Sequence, residues 1–559
     1  MTIKYNNLMK SFLLVASLIL TNPAAIDRFN SIDSLIGKGV FILVWISSIT
    51  SLFIISFSNN FIYRAIFGSI ITLSAAVYFG YYSLTNNWLG FSTYEKLLVE
   101  IGSTPDAISF YGKHLIPTLL YTILGFIGIL IPPKSFVAPS KAYIHMFALA
   151  PILLISGILY ARGGEGSNGL PGQYDTIAFT FLNLGIEATK EQKTRKEAGT
   201  PYSKPLVDKI VLIIDESISG DLLDINSKSG VYSALNGNKA AYNFGVSSSI
   251  SNCSSTSNLG MRFIVSRSSP YEDTQVNPSI WQYARNAGYK TIYIDAQRYD
   301  GKLQNYMNPK EKQDIDEFIQ IPRTKKLYNK DLEAAEEIKK LLKGPGRIFI
   351  LVNKTGAHFP YEGKYNPENR IYSPTMEEFF KTDDSAPDMR ELAKISPNNG
   401  QPKLTRDTTD RVLNSYKNTL AWTVGVFFKK LLADRDMLAK SIIIYTSDHG
   451  QNLNPNKKGL LSPHCSPPDA AHPDEGRVPL ILISNKRSME GILSKAAEKN
   501  RDKLTNFSIG PTILQLMGYQ ISDPNETIFS SNHSQLDQKF LTEMIVRFGK
   551  KPSWQSIHN

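Results

Sequence analysis

Five apolar runs, almost free of charge, crowd the first 162 residues of this 559-residue chain. They are SFLLVASLILT from Ser11, GVFILVWISSITSLFIISF from Gly39, AIFGSIITLSAAVYFGYY from Ala65, LIPTLLYTILGFIGILI from Leu115 and AYIHMFALAPILLISGILY from Ala142. A chain of this length exceeds one ordinary core, and four of the runs approach the roughly 20 residues that cross a bilayer. The first is short and comes after Lys4 and Lys10, as a signal peptide would. The spans behind it and the lack of a small-residue cleavage site favour a first transmembrane helix instead. Lys4 and Lys10, then Arg64, then Lys134 and Lys141 fall in loops or ends that the positive-inside rule places in the cytoplasm. Five spans therefore leave everything after residue 162 outside the cytoplasm. The loop at 85–114 lands on that same side and is long enough to contact the downstream domain.

After the last run, RGGEGSNGLPGQ reads as a flexible linker, and YDTIAFTFLNLGIEATKEQKTRKE as a helix with an apolar face, which either lies flat on the membrane or is a plain surface helix. From about Lys204 the pattern changes to short β-branched runs (KIVLIIDES, YKTIYIDAQ, RIFILVNKTGAH, SIIIYTSDHG, VPLILIS) separated by helical segments such as KDLEAAEEIKKLLK. That alternation predicts an α/β domain, a mostly parallel sheet with helices on both faces. The expected organisation is a five-helix transmembrane domain (1–162), a linker with an interfacial helix (163–204) and an extracytoplasmic domain (205–559). The formal charge of +11 suits a domain facing anionic lipid or glycan. The basic residues are scattered, so nucleic acid is not an expected partner. Cys253 and Cys465 are the only cysteines; they allow one internal disulfide or two buried thiols.

Acids and imidazoles recur where the predicted strands stop. KIVLIIDES ends in Asp215, Glu216 and Ser217; RIFILVNKTGAH reaches His358; SIIIYTSDHG ends in Asp448 and His449; LSPHCSPPDAAHP carries His464 and His472. In open α/β sheets the carboxyl ends of strands gather ligand sites, and carboxylate with imidazole is a donor set for Zn²⁺ or a similar divalent ion. SNCSSTSNLG, residues 251–260, adds a cluster of hydroxyls from which a nucleophile would come.

The order of these motifs resembles the alkaline phosphatase and sulfatase superfamily, and with five N-terminal spans the chain is most similar to the bacterial phosphoethanolamine transferases that decorate lipopolysaccharide. The resemblance implies that Glu216, Asp448 and His449 bind metal, Zn²⁺ first and Mn²⁺ as the alternative. It implies that His358, in Gly356-Ala357-His358-Phe359-Pro360, and His464 bind the phosphoryl group or protonate the leaving oxygen. SYKNTLAWTVGVFFKKLL resembles the family's Tyr-x-Asn-Thr helix. Counting from Cys253 along the family's Cys-Gly-Thr-x-Thr selects Ser257 as nucleophile and metal-bound hydroxyl, with Thr256 the alternative. Asp215 replaces the family's Gly and is expected as a further ligand, while Gln297 and Lys302 are expected to hold the donor head group or phosphate.

The function so implied is two-step transfer of phosphoethanolamine from phosphatidylethanolamine to a lipopolysaccharide or other surface glycan through a covalent enzyme ester. The implied setting is a multi-pass protein of the bacterial inner membrane with a periplasmic catalytic domain, acting as a monomer. Phosphoglycerol transfer of the lipoteichoic acid synthase kind, or hydrolysis by a tethered phosphodiesterase or sulfatase, are the alternatives. The sulfatase Cys-x-Pro-x-Arg motif is absent, because Cys253 is succeeded by Ser254, Ser255, Thr256 and Ser257.

Overall fold

The computed structural model describes residues 2–85, 87–99, 112–134, 146–189, 193–359, 361–376, 406–453, 464–545 and 551–558. Much of the expected loop at 85–114, the start of the fifth apolar run with Lys141, and Pro360 lie outside them. The described residues up to 189 form one compact unit and those from 193 onward a second.

The first unit is helical: Thr2–Leu20, Leu35–Ser56, Phe61–Thr85, Ile116–Leu130, Ala150–Ala161 and Gly172–Thr189 are its main helices. Among the described residues, Leu35–Ser56 and Phe61–Leu84 are long and apolar enough to cross a membrane, and Asn7–Leu20, Ile116–Leu130 and Ala150–Ala161 are shorter apolar helices. Lys10 is wholly buried and donates to the carbonyls of Gly128 (2.7 Å) and Ile131 (2.8 Å), satisfying the last turn of the Ile116–Leu130 helix. The helix expected as interfacial begins at Gly172, and its first half is buried. Tyr174 donates to Ser51 (2.9 Å), Gln173 to Thr21 (2.8 Å), and Asn22 accepts from Gly172 N (2.9 Å). These side-chain bonds draw the helix into the first unit, which therefore extends past the boundary at 162 read from the sequence.

The second unit is built on a seven-stranded sheet. Its strands are β1 (Lys209–Asp215), β2 (Ala241–Ser248), β3 (Lys290–Asp295), β4 (Glu317–Gln320), β5 (Ile348–Asn353), β6 (Ser441–Ser447) and β7 (Arg477–Ile483). They lie in the order β2-β7-β6-β1-β5-β3-β4. β6, β1, β5, β3 and β4 pair in parallel, while β7 runs against its neighbours β6 and β2. β1, β5 and β6 are buried along their whole length, as strands covered on both faces must be, and this is why they read as unbroken apolar runs. Ile210, Leu212 and Ile214 join Trp281, Leu493 and Ile513 in one core, whereas Tyr445 packs edge-on against Phe428, 4.7 Å between centroids. A small antiparallel pair, β8 (Lys539–Glu543) and β9 (Ser553–Ser556), closes the chain's described part.

This topology brings the carboxyl ends of β1, β2, β3, β5 and β6 to one edge, together with the amino end of the reversed β7. The pairing of Asp215 with Ser447 sets Glu216 beside Asp448.

Candidate active site

Glu216 comes directly after the last residue of β1, and Ser217 turns the chain with φ 63°, so the Glu216 side chain is held close to the sheet edge. Tyr416 secures that turn: its hydroxyl donates to Ser217 O (2.7 Å) and accepts from Ser219 N (2.9 Å). The Tyr-x-Asn-Thr motif on the helix Arg406–Leu420 is thus a clamp. Asn418 accepts from the backbone of Ile371 (2.8 Å) and Tyr372 (2.9 Å), and Thr419 donates to Tyr361 O (3.2 Å).

Asp448 and His449 stand just past β6. Glu216, Asp448 and His449 are all buried and each offers a ligand atom within 4.8 Å of the others. One Asp448 oxygen, Oδ1, accepts from Ser217 N (3.0 Å) and His449 N (2.7 Å); the other, Oδ2, is buried without a hydrogen-bond partner among the described residues. A buried carboxylate oxygen left open in this way is costly unless a cation meets it. Nδ1 of His449 lies 2.8 Å from Gly450 O, which fixes its proton there and turns Nε2 toward the carboxylates. Burial pushes the Asp448 carboxyl up to about 8, with the Glu216 charge adding to it. For His449, burial pulls the imidazole down, but Asp448 and Glu216 overcome it and hold the ring at about 9. Crowded acids, an open Oδ2 and a correctly turned imidazole fit a divalent metal ion.

The structure brings a different hydroxyl to this cluster from the one the cysteine spacing selects. The helix Ser254–Arg262 starts immediately after Cys253, and Ser254, its first residue, places Oγ 3.1 Å from Glu216 Oε1 and 3.0 Å from His449 Nε2. Ser257 is one turn farther along and wholly buried; its hydroxyl donates to Ser251 O (2.8 Å) and accepts from Ser251 N (2.9 Å). Thr256 donates to Ser251 Oγ (2.8 Å). Both expected hydroxyls thus hold the preceding turn instead of facing the carboxylates.

Two other expected contacts also differ. Asp215 is not brought to the cluster, because successive residues of a strand point to opposite sides. Its carboxylate pairs with Lys354 and accepts from Tyr445 (2.9 Å). Gln297 does reach the site, but its amide is engaged there, donating to Glu216 Oε2 (3.2 Å) and Lys354 O (2.7 Å). Lys302 is exposed, with its ammonium 5.2 Å from the Tyr299 ring centroid.

The histidines converge. The His464 ring stacks on His449 at 4.2 Å and meets His358 edge-on at 5.2 Å, so the three form a row from the buried cluster to the exposed rim where His358 stands. His472 lies elsewhere, capping the turn Pro473–Gly476 by accepting from Asp474 N (3.2 Å). Cys253 and Cys465 form a disulfide, 4.7 Å between Cα atoms, which ties the start of the Ser254 helix to the neighbour of His464. Asn252 reinforces the tie by donating to Ser466 O (2.9 Å) and Glu475 (2.8 Å). Lys364 has nothing in its sequence context to single it out. It is buried six residues after His358, and burial pulls its ammonium down to about 8 against the carboxylates of Glu216, Asp331 and Asp215.

The sulfatase family profile matches residues 208–519, more than half of the chain. The chain belongs to the sulfatase family. Among solved structures, this sulfatase-family chain is similar to the integral membrane lipooligosaccharide phosphoethanolamine transferase A from Neisseria meningitidis. The TM-score is 0.63 at 16% identity, over 93% of this chain and 97% of that one. The C-terminal periplasmic domain of EcEptC from Escherichia coli aligns with TM-score 0.48 and 16% identity, over 65% of this chain and 96% of that domain. A search of curated proteins by sequence finds no match. The mostly parallel α/β sheet expected from the strand pattern, and the alkaline phosphatase and sulfatase-like fold that the resemblance implied, are those of the second unit.

Proposed function

We propose that this sulfatase-family chain transfers phosphoethanolamine from phosphatidylethanolamine to a lipopolysaccharide or other surface glycan, with Ser254 as the nucleophile. The observation that carries the reading is the Ser254 hydroxyl at the start of a helix, 3.1 Å from Glu216 and 3.0 Å from His449. A helix N-terminus favours an approaching phosphate, because its free N–H groups and dipole meet negative charge. A zinc ion held by Glu216, Asp448 and His449 would supply positive charge that acidifies the Ser254 hydroxyl and offsets charge on the phosphoryl oxygens.

In the first step the Ser254 oxygen, its proton lost to solvent, forms a bond to phosphorus as the bond from phosphorus to the diacylglycerol oxygen breaks. That oxygen takes a proton from His358 or His464, which stand on the open side of the cluster. In the second step a hydroxyl or phosphate oxygen of the acceptor bonds to phosphorus, any proton it carries passing to the imidazole that gave one up in the first step, while the bond from phosphorus to the Ser254 oxygen breaks and that oxygen regains a proton from solvent. Lys364 contributes a nearby cation as charge builds on the phosphoryl group. Gln297 braces Glu216, and Lys302 remains the candidate for the donor head group at the exposed end of the same loop.

Both substrates are lipid-borne, which gives a reason for the apolar helices of the first unit. We place them in the bacterial inner membrane as five spans, with the catalytic unit in the periplasm and the protein acting as a monomer. Mass spectrometry of lipopolysaccharide from cells with and without the protein tests the reading. Phosphoethanolamine should appear on the glycolipid only when the protein is present. Phosphoglycerol there, or an unchanged profile, would overturn it.

A further inference from the structure

We infer that the buried pair Asp215–Lys354 is a positioning device for the metal centre: it fixes Glu216 at both ends and lays the His358 loop against it. The inference rests on the reading of Glu216, Asp448 and His449 as a metal centre. Asp215 and Lys354 are both wholly buried and form an ion pair. Their meeting is set by the sheet register, since Ile214 pairs with Asn353 and the next residue of each strand stands level.

Asp215 holds Glu216 through its carboxylate, and Lys354 does so indirectly, through its main-chain carbonyl and Gln297. Asp215 Oδ1 accepts from Glu216 N at 3.0 Å, while Lys354 O accepts from the Gln297 amide (2.7 Å) that also donates to Glu216 Oε2 (3.2 Å). The Lys354 ammonium is itself anchored. It donates to Thr423 O at 2.6 Å and lies 4.1 Å from the Phe427 ring centroid. Thr423 sits in a π-helical turn, Ala421–Val426, and such turns recur at functional sites.

The pair also reaches the loop to His358, because the Lys354 ammonium lies 3.9 Å from Asp331 Oδ2. Beyond Lys354, Asp331 accepts from Thr355 N (2.7 Å) and Gly356 N (3.1 Å), and Ala357 N donates to Glu216 O (2.8 Å). Gly356 has φ +49°, and a Cβ there would lie 2.4 Å from Glu216 O. The loop therefore rests directly on the Glu216 peptide. If stability alone were at stake, an apolar pair of similar size would do as well, since desolvation offsets much of a buried pair's attraction. Outer-shell groups that orient metal ligands instead change metal affinity by about 10- to 100-fold.

The test is zinc affinity of the full chain in detergent, measured by competition with a chromophoric chelator, with the thermal melt of the zinc-free protein recorded alongside. Asp215→Ala combined with Lys354→Met removes both charges together, so neither is left buried alone. Zinc binding weakened about 10- to 100-fold with the zinc-free melt retained is the expected result. Wild-type zinc affinity in the folded double variant would overturn the inference. If that variant does not fold, Asp215→Leu with Lys354→Met keeps the side-chain shape and leaves no acceptor for Glu216 N, and the same loss or its absence decides. A wild-type chain that binds no zinc would instead remove the metal-centre reading itself.

Discussion

The hydroxyl oxygen of Ser254 lies 3.0 Å from Nε2 of His449. That pairing joins two parts of the chain with distinct structural origins, a helix start fixed after Cys253 and a turn fixed by the end of β6. Glu216, from the end of β1, receives the same hydroxyl at 3.1 Å. A hydroxyl so placed would share a metal ion bound by its neighbours, of which His449 stacks on His464 and through it meets His358. The geometry suits a phosphoryl group held between them.

Removal of metal is the first prediction. Glu216, Asp448 and His449 converge within 4.8 Å, with Asp448 Oδ2 unsatisfied among the described residues. Dialysis against a strong chelator should abolish transfer, and added zinc should restore it. Glu216→Gln and Asp448→Asn should lower bound zinc, read by elemental mass spectrometry, without unfolding the protein. Full activity after zinc has been stripped to undetectable levels would contradict this.

The disulfide gives the second prediction. Cys253 and Cys465 are 212 residues apart in sequence, so the loop they close is long, and chain entropy alone puts the bond's contribution at up to about 5 kcal/mol. It also holds the Ser254 helix beside His464. Cys253→Ser with Cys465→Ser should lower the melting temperature and reduce transfer more than it reduces zinc content, because His464 is displaced while the three ligands stay. Unchanged turnover in the double variant would show that the bond does not position His464.

Lys364 supplies the third. Lys364 is buried, the Glu216 charge acts on its ammonium, and that ammonium acts in turn on His358. Lys364→Met preserves length and removes charge. Transfer should fall by about 100-fold or more, as when one charge-stabilising donor is lost, with bound zinc and thermal melt near wild type. A loss below threefold would remove Lys364 from the chemistry.

Much of this was legible in the sequence, for identifiable reasons. β1, β5 and β6 are covered on both faces, so they announce themselves as continuous apolar runs, and the residues just past them, Glu216, Asp448 and His449, inherit a common edge. Ser254 was not legible by counting from Cys253. A count along a motif does not say where the helix begins, and each residue advances about 1.5 Å along the axis. Three residues therefore separate a hydroxyl at the cluster from one turned back onto Ser251. A sequence signal did exist: Ser254 is the first hydroxyl after the strand-to-helix turn, where anions bind. Asp215 was misread for a related reason. An acid in place of the family's Gly suggested a further ligand, but alternation of side chains at the strand end separates Asp215 from Glu216. The lysine in FILVNKTGAH, an isolated charge at the end of a buried strand, was the trace of its true partner. Lys364 left no trace, because its burial depends on tertiary packing.

Ser254 as the covalent nucleophile is the central claim, and the intact mass of the protein after brief exposure to phosphatidylethanolamine tests it most directly. The wild-type chain should gain the mass of one phosphoethanolamine, mapped by peptide fragmentation to Ser254. Ser254→Ala should gain none and lose transfer by several orders of magnitude, as deletion of a nucleophile does. Ser257→Ala and Thr256→Ala should retain the adduct; Ser257→Ala should lower the melting temperature, since its two bonds to Ser251 are worth about 1 kcal/mol each. An adduct that persists in Ser254→Ala, or that maps to Ser257 or Thr256 in the wild-type protein, would contradict the account.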